Sequence, residues 1–180
     1  MGAEQDFEKV KLFSGAIFRE TAVYEKTKEK LIAGLSDVDL ESQLFDFDAT
    51  TYYDTEMGAP LYRMFMSFRI LVDPQTLTAV KQLTNRIEKD FSLNGRRRIN
   101  LDPGFVSLAN VIIATTKNHY HRIPLQEGIY AHLEYVVKHT RFYPLEWTYP
   151  DFRGPSYIRF FEELRAAYKR DLRLLSHDGD

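Results

Sequence analysis

Apolar residues along this chain change their period several times, and each change predicts an element. The run Val10-Lys-Leu-Phe-Ser-Gly-Ala-Ile-Phe18 has the β-branched and aromatic character of a buried strand, with Gly15 marking a close backbone approach. From Glu20 to Leu35 the spacing turns helical. Tyr24, Thr27, Leu31 and Leu35 fall on one side, Lys26, Lys28, Glu29 and Lys30 mostly away from it, and Gly34 and Ser36 favour termination. Leu44 to Tyr53 begins in strict alternation, which on a strand sends Phe45 and Phe47 to one face and Asp46, Asp48, Thr50 and Tyr52 to the other. Met57-Gly-Ala-Pro60 reads as a turn into a partner strand, Leu61 to Val72. That strand has Tyr62, Met64, Met66, Phe68 and Ile70 on one side and Arg63, Ser67 and Arg69 on the other. An acidic strand beside a basic one suggests cross-strand ion pairs on a solvated face.

Asp73-Pro74 is a helix start, an N-cap followed by proline at the first helical position. Leu77, Val80, Thr84 and Ile87 continue it as an apolar stripe, and Asn94-Gly95 supplies the next turn. Arg96 to Asn100 reads as a strand that ends in a turn at Asp102-Pro103-Gly104. The order strand, helix, strand, strand, helix, strand is that of a ferredoxin-like β-α-β-β-α-β unit, whose right-handed crossovers place both helices on one face of an antiparallel sheet. Further strands follow at Val111 to Thr116, His121 to Leu125 and Gly128 to Val137, extending the sheet or folding over its open face. Phe142 to Phe152 is proline-rich and reads as a packed, aromatic-anchored loop. Gly154-Pro155-Ser156 opens a last helix with the stripe Tyr157, Phe161, Leu164, Tyr168, Leu172 and Leu175. The expected fold is α+β, an antiparallel sheet with a ferredoxin-like first half, extended by further strands and a C-terminal helix.

At 180 residues the chain fits one domain, residues 1–180, with residues 1–8 expected to be disordered. A net charge of −2 gives no global attraction to nucleic acid or anionic membrane, so neither is an expected partner. The absence of cysteine excludes a disulfide framework, a thiolate zinc site and a cysteine nucleophile, and suits a reducing cytoplasm. Residues 1–9 lack the basic start and apolar core of a secretory signal, and no apolar run approaches the roughly 20 residues that span a bilayer. A cytoplasmic location is the expectation.

Candidate chemistry concentrates between Arg96 and Asp151. Arg97, Lys117, His119, His121 and Arg122 would gather positive charge near Asp102-Pro103-Gly104, a place to hold phosphate or carboxylate. The plainer reading pairs Asp102 with an arginine and leaves the rest solvated. The residues expected around a small anionic ligand such as a nucleotide are Tyr53, Arg63, Arg97, Asn100, Asp102, Lys117, His121, Arg122, Trp147 and Asp151. Any catalytic group would come from Glu56, Asp102 and His121. His119 and His121 lie two apart and would face one way on a strand, so with Asp102, Asp151 or Glu56 they offer a two-His-one-carboxylate set for a metal-dependent hydrolase. Tyr52, Tyr53, Tyr130, Trp147 and Tyr149 could stack a base, with an aromatic core as the simpler account. A non-catalytic structural or protein-interaction module is a third possibility. No cofactor is indicated, and enzyme activity is left open.

Several strings occur together and in order: Phe47-Asp48, Tyr52-Tyr53, Glu56-Met57-Gly58, Leu61 with Arg63, Lys81 with Thr84-Asn85, Asn100-Leu-Asp-Pro-Gly104, Ala114-Thr-Thr-Lys117, His121-Arg-Ile123, Gly128-Ile-Tyr130 and Trp147-Thr-Tyr-Pro-Asp151. In these the chain resembles a bacterial family catalogued only as domain of unknown function 4416. The family pattern has Tyr where this chain has Phe105 and Phe152, and Glu where it has His132, so no role passes to those two phenol hydroxyls or that carboxylate. Some members are labelled GTP-binding. The chain has no Gly-x-x-x-x-Gly-Lys-[Ser/Thr] loop, so the resemblance implies nucleotide binding only by some other geometry.

Overall fold

β1 (Val10–Phe18) lies inside the sheet with every residue buried. The computed structural model describes residues 2–177. After β1 come α1 (Thr21–Gly34), β2 (Val38–Glu41), β3 (Phe45–Asp46), the single-turn α2 (Asp54–Met57), β4 (Tyr62–Val72) and α3 (Leu77–Asp90). The second half adds β5 (Ile99–Val106), β6 (Asn110–Thr115), β7 (Ile123–Pro124), β8 (Tyr130–Lys138), β9 (Arg141–Pro144) and α4 (Pro155–His177). One antiparallel sheet joins the strands in the order β2-β4-β1-β5-β6-β8-β7, with β3 on β4 and β9 on β8. Mixed helix and antiparallel sheet, closed by a C-terminal helix, make the fold α+β.

Alternation along the strands feeds two cores. Leu12, Ala16, Phe18, Met66, Phe68, Ile99 and Leu101 pack with Tyr24 and Leu31 of α1 and with Leu77, Val80 and Ile87 of α3. The opposite face, through Phe13, Phe65, Val106, Val111, Ile113 and Tyr135, meets Tyr157, Phe161 and Leu164 of α4. Burying each large aliphatic or phenylalanine side chain among them stabilises the fold by roughly 1.5–3 kcal/mol. The start of α3 follows its local signal, since Asp73 accepts from the backbone N–H of Gln75 at 2.8 Å and caps a 3-10 turn at Pro74–Thr76. Asn94 and Gly95 both have left-handed φ, 52° and 76°, and turn the chain between the bridged Leu93 and Arg96.

The structure departs from the sequence reading in several places. The strand after α1 is Val38–Glu41, and Leu44 to Tyr53 contributes only the two residues of β3. Beyond Phe47 the polar run turns away from β4; Thr50 Oγ1 accepts from the N–H of Tyr52 at 3.1 Å, a local bond that competes with strand pairing. α4 covers the first part of the Arg63 face of β4, where Arg63 and Ser67 are buried on either side of Phe65, while Arg69 further along that face stays exposed as expected. Neither Asp46 nor Asp48 pairs with Arg63, whose partners are Asp102 and Asp151. Asp102-Pro103-Gly104 is no turn: β5 runs through it to Val106. The proline-rich segment opens with a strand, β9, before its turns, while the expected strand at His121 to Leu125 shrinks to β7. Residues 2–9 form no helix or strand, but Lys9 C=O and the Glu8 carboxylate accept from the Tyr168 hydroxyl; Met1 lies outside the described residues. Among the described residues no helix is long and apolar enough to cross a membrane.

Candidate functional site

β5 pairs with β1 from Ile99 to Val106, but with β6 only from Gly104 onward. Pro103 stands where the second ladder stops. Backbone groups alternate along a strand, so Leu101, Pro103 and Phe105 direct theirs toward β6, and Pro103 has no N–H to give. Leu101, left without β6, is satisfied from α3. Its N–H donates to Glu88 Oε1 at 2.7 Å, and its C=O accepts from Lys81 Nζ at 2.7 Å. Two charged side chains thus replace a strand, as buried backbone groups require. At Gly104 the strands close again so tightly that a Cβ would sit 2.3 Å from the carbonyl oxygen of Ile112. The gap between the parted strands opens into a cleft of about 460 Å³.

A chain of polar contacts runs through the cleft wall. Glu56 takes Arg97 through Nε and Nη2, at 2.9 and 2.7 Å; Arg97 Nη1 donates to Asn100 Oδ1 at 2.8 Å. Asn100 Nδ2 then donates to Asp102 Oδ1 at 3.1 Å, and Arg63 joins Asp102 at 2.9 Å to Asp151 at 3.0 Å. The Arg63 guanidinium is held among the rings of Phe47, Phe65 and Phe152, and its Nε is buried with no hydrogen-bond partner among the described residues. Tyr52, Tyr53 and Tyr149 add aromatic surface; Thr115, Thr116 and Asn85 add polar surface. Lys117 Nζ lies 4.2 Å above the Tyr52 ring, and Arg122 Nη2 donates to the Tyr149 hydroxyl at 3.1 Å. Neither Lys117 nor Arg122 joins an ion pair among the described residues.

The carboxyl groups around the cleft are driven apart. Burial opposes ionisation of Asp102, but the charges of Arg63 and Lys81 prevail and hold its carboxyl below the usual range. For Asp151 burial prevails over Arg63, and neighbouring Asp102 adds to it, so its carboxyl is pushed up. Burial also raises Glu88, against the pull of Lys81. Hydrogen bonds from Arg97 lower Glu56. Burial lifts the Tyr149 phenol to about 12. Asp102 and Glu56 are thus lowered while Asp151 and Glu88 are raised, each by the balance of burial against its neighbouring cations.

Of the residues singled out in the sequence, Tyr53, Arg63, Arg97, Asn100, Asp102, Lys117, Arg122 and Asp151 line this cleft, and Glu56 stands behind Arg97. His121 and Trp147 do not; they stack on each other beside it, with centroids 5.1 Å apart and planes at 9°. His121 Nε2 lies 3.1 Å from Nδ1 of His132, which also accepts from Arg122 Nε at 3.1 Å, and His119 Nδ1 lies 3.0 Å from His121 Nδ1. His132 and Glu134 are fully buried, 3.0 Å apart. Burial and Arg122 lower the His132 imidazole to about 4, while burial pushes the Glu134 carboxyl well up. The expected two-His-one-carboxylate set does not form: Asp102 and Asp151 are engaged by Arg63 and Glu56 by Arg97. Among the described residues no three His, Asp or Glu side chains come together to hold a metal ion.

Lys81 and Glu88 were missed, although a signal was present: both interrupt the buried face of α3 defined by Leu77, Thr84 and Ile87. His132 and Glu134 gave less warning. A register shift between β6 and β8 leaves Glu134 without a partner on β6, so it turns inward beside Tyr135.

These features define an α+β protein with a polar, aromatic-walled cleft where two strands of one sheet part. Residues 8–168 match the model of the family described as Domain of unknown function (DUF4416), and the chain belongs to that family. No curated protein and no solved structure matches it.

Proposed function

We propose that the cleft binds a small anionic ligand such as a nucleotide. The observation that carries this reading is the pair Lys117 and Arg122, two cations at an aromatic-walled cleft that take no part in an ion pair among the described residues. The volume, about 460 Å³, falls within the usual range for small-molecule sites. In this reading Lys117 and Arg122 neutralise the anion, Tyr52, Tyr53 and Tyr149 offer ring faces, and Asn100 orients the ligand while Arg63 and Arg97 keep the wall rigid. Glu56 or Asp102, the two carboxyls held below the usual range, would be the base if the site does chemistry. The order β2-β4-β1-β5, with antiparallel neighbours throughout, supports reading the first half as ferredoxin-like. One sheet shared by all nine strands supports a single domain. We assign the protein to the cytoplasm, with no nucleic-acid or membrane partner.

The test is a thermal-shift screen against nucleotides, sugar phosphates and small carboxylates, followed by calorimetry, since a ligand of the native state raises the melting temperature by mass action. A hit lost in folded Lys117→Ala and Arg122→Ala supports the reading. A panel without a hit, or a hit that both variants retain, overturns it.

A further inference from the structure

Outside the cleft, on the chain between β6 and β7, the two imidazoles of His119 and His121 meet with their Nδ1 atoms 3.0 Å apart. The protons around them can be placed by elimination. Arg122 Nε donates to Nδ1 of His132, so that nitrogen carries a lone pair. His121 brings Nε2 to within 3.1 Å of the same atom. Two lone pairs would repel there, so His121 Nε2 holds a proton and shares the acceptor with Arg122. In a neutral ring its Nδ1 is then unprotonated, and it is aimed at His119. Trp147, stacked flat on the His121 ring, fixes its plane. A histidine with one N–H anchored on a buried acceptor and the opposite lone pair turned outward is how metal-ligating imidazoles are commonly prepared.

With the lone pair on His121 Nδ1, His119 Nδ1 donates its proton across the 3.0 Å contact in the free chain. Because His119 is exposed, an ion arriving there can move that proton to His119 Nε2 and take both Nδ1 lone pairs with no net loss of a proton. Two nitrogens 3.0 Å apart, each about 2.1 Å from one ion, subtend roughly 90° at it. That is the cis angle of square-planar and octahedral coordination, narrower than a tetrahedral one. Imidazole nitrogens at that angle favour copper(II) and nickel(II) over zinc.

We propose that His119 and His121 form a two-imidazole surface site for copper(II) or nickel(II), completed by water, with His132 and Arg122 as positioning residues. It needs no third protein ligand, and it shares Arg122 with the cleft wall. The sequence has one tryptophan, so emission from Trp147 reports directly on the ring against which it lies.

The experiment is a titration of the full chain with copper(II) and nickel(II) chloride, followed by Trp147 fluorescence and by calorimetry. Emission falls, saturates at one ion per chain and recovers with a chelator. His119→Ala, which keeps the stack on Trp147, shifts the midpoint at least tenfold to higher metal, and His139→Ala leaves it in place. His132→Gln keeps both ligands but disturbs the tautomer, and weakens binding by about 10-fold or more. Quenching that does not saturate at one ion per chain, or a midpoint unchanged in His119→Ala that retains its circular dichroism, overturns the proposal.

Discussion

Arg63 and Asp102 stand on strands that are not neighbours, yet their side chains meet at 2.9 Å across the intervening β1. Gly15 is what lets them pass. It pairs with Phe65 on one side and with Asp102 on the other, and the guanidinium lies directly over it. A Cβ there would be 2.7 Å from Arg63 Nη1 and 3.0 Å from the Phe65 ring. Gly15→Ala is therefore expected to cost about 1–3 kcal/mol, as overpacking does. Urea denaturation measures it, and an unchanged midpoint would mean that Arg63 swings away freely.

The ion pair itself is buried, so its two partners depend on each other. Arg63→Ala leaves Asp102 and Asp151 without their cation inside the protein and should cost about 3–5 kcal/mol. The fall in stability should be greatest at neutral pH, because acid protonates the stranded carboxylates. A loss that does not shrink between pH 7 and pH 4 would contradict this.

Glu88 is predicted to act on the backbone of β5 rather than on a ligand. Glu88→Ala strands the N–H of Leu101, at a cost of about 1–3 kcal/mol. Glu88→Gln keeps an acceptor at that place and should be far milder. Amide hydrogen exchange at Leu101 provides the second readout: fast in the alanine variant, slow in the glutamine one. Equal exchange in both would remove the bond from the account of why the strands stay apart.

His132 carries a pH dependence of definite sign. Its imidazole is lowered to about 4 in the folded protein, while the unfolded chain takes a proton near 6.5. Unfolded molecules therefore bind more protons between those values, and stability is lost as pH falls through that window. Against His132→Gln, the wild type should lose about 3 kcal/mol between pH 7 and pH 4. Glu134 has the opposite trend, since its raised carboxyl takes up a proton in the folded state first. Because Glu134 lies 3.0 Å from His132, the same difference measured in a Glu134→Gln background isolates the imidazole. A constant difference across the range would show that His132 titrates normally.

Much of the scaffold was legible because its signals are local. Asp73-Pro74 caps its own turn and the stripe from Leu77 to Ile87 needs only helical spacing, so α3 could be placed from neighbours a few residues apart. The β-branched and aromatic character of β1 and the stripe of α4 are equally local. The site was half legible. Lys117, Arg122, Asn100 and Asp102 stood out as polar groups amid apolar runs, and the cleft brings them together.

What the tertiary structure decided is which local signals prevail. Pro103-Gly104 has the composition of a turn, and also that of a strand losing one neighbour at Pro103 and closing on it at Gly104. Only the departure of β6, whose last partner on β5 is the Gly104–Ile113 pair, distinguishes the two. Alternation alone put Arg63 on a polar face, which would have been correct had α4 not folded over it. Hydrophobic period, caps and turn residues are set by a residue's near neighbours and can be read from the chain. Burial of Arg63 beside Asp102 and Asp151, residues 39 and 88 positions further along, depends on which surfaces close over one another, and that is a property of the folded molecule.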